Sequence, residues 1–207
     1  PRPVDAPARY ILYFGALQRW QGIDVLLRAM TYLADIQDLH LVVCASTKHR
    51  YAKAYRKMTE RLGISDRVLW QYGLHKRELG GWIQGSELTV APLTECARNI
   101  EQGCAPLKIL ESMAAGVPVV ASDLPAVREI MTNGEHGRLV RAERPSDLAR
   151  AIRLLLADED ERRRMGARGK ERIGATLTWK ASLDRLQGMY SYLSAPTNLR
   201  AISTPKS

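Results

Sequence analysis

The sequence predicts an α/β fold, a doubly wound parallel sheet with helices on both faces. Two observations predict it. Short apolar runs alternate five times with segments whose apolar residues recur at helical spacing. One of those runs, residues 39–46 (LHLVVCAS), is apolar throughout, which suits a strand covered on both faces.

The elements follow in order. Residues 9–15 (RYILYFG) form an apolar, aromatic run closed by glycine, a strand signal. Ile23, Leu26, Leu27 and Met30 recur at i, i+3, i+4, i+7, one face of a helix. After the strand at 39–46, Tyr51, Tyr55, Met58 and Leu62 mark a second helix, and Gly63 closes it. Residues 67–73 (RVLWQYG) are a third strand, residues 75–85 a short helix weakened by glycines, and residues 87–92 a fourth strand. A polar loop is expected through Cys104. Pro106 suits a first helical position, where its missing N–H costs nothing, so a helix is expected over 106–115 with Gly116 ending it. Residues 117–122 are a fifth strand, 125–131 one or two helical turns, Asn133-Gly134 a turn and 137–140 a short sixth strand. Helices over 146–157, 159–174 and 179–193 complete the chain. The expected organisation is a linker over 1–9, a Rossmann-like domain over 10–193 and a flexible tail over 194–207.

Length and composition narrow the class. A chain of 207 residues suits one domain or one and a half, and 45% apolar with 26% charged residues is ordinary for a globular protein. With one Phe, the core must rest on aliphatic residues, Met, Trp and Tyr. Cys44, Cys96 and Cys104 are an odd count with no CxxC pair, which argues against a disulfide framework or zinc site and fits a reducing, cytoplasmic setting. No apolar run approaches the ~20 residues that cross a bilayer. The opening PRPVDAPAR is rich in proline, as linkers are, and suggests a fragment of a longer protein.

The net charge of +9 admits nucleic acid, acidic lipid or a phosphate-bearing small molecule as partner. No aromatic stacking platform or reader motif accompanies it, so no nucleic acid is expected. Lys48, Arg50, Lys53, Arg56, Lys57 and Arg61 face only Glu60 within their stretch. They are either a solvated helix face or a surface for an anionic membrane or a neighbouring domain.

In such sheets ligands bind at the carboxyl ends of the strands. The first loop there, GALQRWQG (15–22), is not G-x-G-x-x-G, so the dinucleotide fingerprint is absent, which argues against a dehydrogenase. Gly15 and Ala16 still open a turn able to bring backbone N–H groups to an anion, with Arg19 its single cation. In the second loop, Tyr72 to His75, the backbone around Leu74 could edge a planar base, and His75 either caps the next helix or meets the ligand. The third holds QGCAPLKILESMAAG (102–116). On a helical wheel of about 100° per residue, Lys108 and Glu111 share one side while Ile109, Leu110 and Met113 occupy the other. Lys108 and Glu111 are either a surface ion pair worth ~0.2–0.5 kcal/mol or an anion site. In the anion site, the N–H groups of Leu107, Lys108 and Ile109 point at a phosphate and Glu111 accepts from a ribose diol.

These segments resemble a known family. YFGALQRWQGIDVLLRAM, LGISDRVLWQYG, ELTVAPL, PLKILESMAAGVPVVASDLPAVREIMTNGEHGRLV and DLARAIRLLLADEDERRRMGARG are similar, in order, to the C-terminal, nucleotide-sugar-binding half of family 4 (group 1) glycosyltransferases with the GT-B fold. The resemblance implies transfer of a sugar from a nucleoside diphosphate sugar to an acceptor, with retention at the anomeric carbon and no metal or other cofactor. It also implies an N-terminal acceptor domain as partner, without which the domain binds nucleotide and catalyses nothing. Consistent with this, Asp158–Asp160 reads as an acidic helix start rather than a metal motif. The family carries two glutamates eight positions apart. Glu111 matches the second, but Gly103 stands at the first, which in the family reaches the donor sugar. Glu101, two residues away, could take that place only with a loop shift, and Arg98, Asn99 and Gln102 are the other polar candidates. The catalytic candidates are Glu101, Lys108 and Glu111, and Gly103 and Cys104 join the donor-binding set. The family's Arg and Lys of the first loop are Ala16 and Gln21 here. The chain is similar to a subgroup with a W-Q-G first loop and an R-N-x-x-Q-G-C-x-P-x-K loop. The alternative reading is a non-catalytic relative that keeps the fold as an interaction module.

Overall fold

The computed structural model describes residues 2–46, 48–103 and 105–194. Six parallel strands form one sheet: β1 (Arg9–Gly15), β2 (Leu39–Ala45), β3 (Val68–Tyr72), β4 (Leu88–Ala91), β5 (Val119–Ser122) and β6 (Gly137–Val140). Their order is β3-β2-β1-β4-β5-β6, so the direction of winding reverses between β1 and β4. β1 pairs with β2 along its whole length, from Arg9↔Leu39 to Gly15↔Ala45. With β4 it pairs only at Ile11↔Leu88 and Leu12↔Thr89. The carboxyl ends of β1 and β4 are therefore unpaired to each other, and a crevice opens at the switch point.

Alternation along β1 sends side chains to two cores, as a period of two requires. Ile11 and Tyr13 join the cluster under α1 (Ile23–Thr31) and α7 (Pro145–Ala157), with α2 (Lys53–Arg61) packed at its edge. Tyr10, Leu12 and Phe14 pack with Trp82 and Ile83 of α3 (Lys76–Gly85) on the opposite face. Burying both sides of β1 is what makes its sequence read as one apolar run. Tyr10 satisfies its hydroxyl by donating to Trp82 O at 2.7 Å.

The element sequence matches expectation with local differences. The stretch expected to be loop before Cys104 contains a one-turn helix, α4 (Ala97–Ile100). Its polar sequence carries no apolar stripe, because a single buried side chain, Asn99, anchors it. Pro106 is the N-cap of α5 (Leu107–Ala114), not its first residue, since its ψ of 81° is not helical. Residues His49–Ala52 are a 3-10 turn before α2, and Tyr51 is exposed rather than part of a buried stripe. After α6 (Pro125–Arg128) and β6, Pro145 rather than Ser146 opens α7. Next, α8 (Glu159–Thr176) runs two residues past the expected end. Asp158 caps α8 by accepting from Glu161 N at 2.8 Å, and Glu159, Asp160 and Glu161 occupy its positive first turn.

Residues 2–8 lie against the domain. The Arg2 guanidinium stands 5.4 Å from the Tyr10 ring centroid, and Gln71 Nε2 donates to Asp5 at 3.0 Å. At the other end α9 (Trp179–Ser194) exposes Trp179, Leu183, Leu186 and Tyr190. Beyond Ser194, the expected tail lies outside the described residues.

Candidate functional site

A cavity of about 550 Å³ occupies the crevice. It gathers Gly15 and Ala16 after β1, Leu74 after β3, and Leu107, Lys108 and Glu111 of α5, all expected from the sequence. It also takes in Ser46 after β2, Lys76 at the start of α3, and Gln21, Leu93 and Asn99.

Lys108 turns back from α5 over the first loop. Its Nζ lies 4.2 Å from the Tyr13 ring centroid, and a Cβ built on Gly15 would be 3.5 Å from that Nζ. The electron-rich ring face offsets the cation at the positive helix end. The Tyr13 hydroxyl donates to Ala16 O at 2.6 Å, and burial holds the phenol well above its ordinary pKa. Glu111 is exposed at the cavity mouth on the same side of the helix. Partial burial raises its carboxyl above the ordinary range, while Lys76 and Lys108 pull it down.

The expected cradle of amides is partly spent. Leu107 N donates to Ala105 O at 2.9 Å and Ile109 N to Pro106 O at 2.9 Å. The proline at the N-cap folds the chain tightly enough for these local bonds to form. Ile109 and Met113 are buried against the sheet as the wheel requires. Ser112, also fully buried, donates to Lys108 O at 2.7 Å and accepts from Thr89 Oγ1 at 2.8 Å. It fixes α5 to β4, and no apolar pattern could have announced it.

Other expected residues stand elsewhere. Arg19 lines a separate cleft with Trp20, Asp24, Tyr55 and Glu95, because the loop turns its side chain to the α1–α2 face. The Tyr72 ring lies against His49, centroids 4.9 Å apart and tilted by 57°, outside the cavity lining. His75 is the N-cap of α3, its N–H donating to Glu78 Oε2 at 2.8 Å, so the capping reading holds. Glu101 is exposed and does not line the cavity. Gly103 has φ +64°, a left-handed conformation that a glutamate adopts at a cost. The missing carboxylate and the local backbone are thus one feature. Cys104 lies outside the described residues.

The departures in the first loop and the loop after β4 interlock. Asn99 Nδ2 donates to Trp20 O at 2.9 Å and to Thr94 O at 2.8 Å, and the Arg98 guanidinium lies 4.8 Å from the Trp20 ring centroid. Gly22 has φ +67°, and a Cβ there would fall 1.7 Å from Pro92 O. Arg98 and Asn99 thus hold Trp20, and Gly22 lies close against Pro92, so the two loops are tied together. In this chain the W-Q-G and R-N segments are in direct contact. Among the described residues, no three His, Cys, Asp or Glu side chains converge as a metal site would require. No described helix is long and apolar enough to cross a membrane.

Comparison with known proteins identifies the family and the fold. The chain is 31% identical over 202 residues to D-inositol 3-phosphate glycosyltransferase of Thermomonospora curvata, covering 94% of this chain and 45% of that protein. The chain thus spans about half the length of the curated relatives it matches. Among solved structures it is similar to sucrose-phosphate synthase of Thermosynechococcus elongatus, with TM-score 0.78 and 26% identity over 92% of this chain and 46% of that one. The fold also matches Anabaena HepE, solved in complex with UDP, with TM-score 0.72 and 18% identity over 91% of this chain and 49% of that one. Residues 3–172 match the family model of glycosyl transferases group 1, and the chain belongs to that family, with the α/β architecture of the C-terminal half of a GT-B glycosyltransferase.

Proposed function

We propose that this chain is the donor-binding domain of a retaining glycosyltransferase. It takes a nucleoside diphosphate sugar and works with an N-terminal acceptor domain. The observation that carries the reading is the convergence of Lys108, Glu111 and the first loop on one cavity at the switch point. Lys108 and the positive end of α5 hold the diphosphate and stabilise it as the leaving group, with no metal needed. The cost is small, because the Leu107 N–H is held only in a tight three-residue turn that an anion can displace. Glu111 accepts from the ribose hydroxyls, and the backbone at Gly73 and Leu74 edges the base. HepE, a protein of the same fold, was solved in complex with UDP, which is in keeping with a nucleotide ligand. Retention rests on the family resemblance alone. Without an acceptor domain to position the second substrate, the domain binds nucleotide and transfers nothing.

Calorimetric titration with UDP, GDP and ADP tests the reading. Saturable binding that collapses in Glu111→Ala is the expected result. Absence of binding to all three supports the second reading, an interaction module, which the glycine at 103 and the lost cations at 16 and 21 favour. The exposed Lys53, Arg56, Lys57 and Arg61 form a further surface, proposed to lean on an anionic membrane. Vesicle binding unchanged by charge reversal at these residues would dispose of that contact.

A further inference from the structure

Gln21 carries an acceptor without a donor. Its Oε1 is buried and has no hydrogen-bond partner, and Gln21 is one of the residues that line the cavity, so a small turn of the amide would present this oxygen to a ligand there. The backbone on either side is held. Gln21 N donates to Gln18 O at 2.9 Å, and Trp20 O accepts from both Asn99 Nδ2 at 2.9 Å and Thr94 N at 3.1 Å. Gly22 is confined against Pro92. A buried amide oxygen held in this way is costly unless something donates to it.

The order of strands locates Gln21 along the cavity. Gly73, Leu74 and Lys76 follow β3 at one end, and Leu93 and Asn99 follow β4 at the other. Three strand spacings separate these ends, about 14 Å. Lys108 lies over Gly15 between them, and the charges of Glu111 and Lys76 interact toward the β3 side. A ligand with its ribose at Glu111 and its diphosphate at Lys108 carries its remaining group toward Gln21. A diphosphate at neutral pH offers only acceptors, which an amide oxygen cannot use. A sugar hydroxyl offers a donor.

We propose that Gln21 is a specificity-determining residue that accepts a hydrogen bond from a hydroxyl of the donor sugar. It stands where the family places a phosphate-binding lysine, so its role has moved from charge to sugar recognition. The inference rests on the donor-site reading above.

The test compares the parent with Gln21→Met, which keeps the length and removes the acceptor. The nucleoside diphosphate that binds best among UDP, GDP and ADP is titrated first. Its glucose, galactose, mannose and N-acetylglucosamine esters follow. In Gln21→Met the free diphosphate should bind within about twofold of the parent, and the best-binding ester about tenfold more weakly. The melting temperature should be unchanged or higher, because an unpartnered buried acceptor has been removed. Equal weakening of diphosphate and ester, or weakening of neither, overturns the inference while leaving the donor site intact. A lower melting temperature with unaltered ester binding assigns Gln21 a structural role and also overturns it. If the parent binds no diphosphate or ester, the donor-site reading itself fails, and this inference with it.

Discussion

Tyr13 fixes both walls of the anion end of the cavity: its ring lies under Lys108 Nζ at 4.2 Å while its hydroxyl donates to Ala16 O at 2.6 Å. One buried side chain thus sets the position of the cation and the shape of the first loop. Tyr13→Phe keeps the ring and frees the Ala16 carbonyl. Melting should show a loss of about 1 kcal/mol, and nucleotide titration should show a decrease of a few fold. An unchanged melting curve would mean that the hydroxyl does not shape the loop.

Glu111 gives a pH dependence. Its carboxyl titrates above the ordinary value because burial outweighs the pull of Lys76 and Lys108. A raised carboxyl pKa contributes stability at low pH that is lost as pH rises through the folded value. Glu111→Gln should therefore fold at neutral pH at least as well as the parent. Binding runs the other way, because only the ionised form offers every lone pair to a ribose diol. Nucleotide affinity should fall on acidification sooner than an ordinary glutamate would allow, and Glu111→Gln should lose the part of the fall due to Glu111 while keeping the part due to protonation of the diphosphate. Titrations across an acidic pH series check this, with a 2′-deoxynucleotide as control.

Asn99 is the buried staple between the first loop and the loop after β4. Asn99→Ala removes two hydrogen bonds and leaves the Thr94 carbonyl without that donor. Destabilisation of about 1–3 kcal/mol by denaturant unfolding is expected. Amide exchange should accelerate in residues 18–22 and 93–100 together. Acceleration in only one of the two loops would mean that they are not coupled.

Gly103→Glu restores the family's carboxylate in sequence but not in geometry. The residue has open space around its Cβ and a φ of +64°. The variant should fold with a loss of roughly 1–2 kcal/mol and gain no affinity for a sugar nucleotide over its free diphosphate. A gain of tenfold or more would show that the loop rearranges to the family's usual form.

Much of this was legible in the sequence, and what was not has identifiable causes. The strands and most helices announce themselves because β1 and β2 bury both faces and α1 carries an apolar stripe. Lys108 and Glu111 were legible from their angle on one helix, a local property. Arg19 and Tyr72 were placed in the site by loop position alone, and loop position does not say where a side chain turns. Ser112 and Lys76 matter through partners far away in sequence, which no periodicity records, and Asn99, a polar candidate beside the missing carboxylate, holds Trp20 instead. The local bonds of Leu107 and Ile109 depend on the ψ of Pro106, which its residue type does not determine.

The most direct test of the central claim is calorimetric titration of UDP, GDP and ADP into the parent and into Lys108→Ala, with melting curves of both. The parent should bind at least one of the three. Lys108→Ala should bind it roughly 10- to 150-fold more weakly, as loss of a charge-assisted contact implies, with its fold intact. Equal binding by the two proteins, or no binding by the parent, would contradict the assignment of Lys108 and the α5 terminus as the diphosphate site.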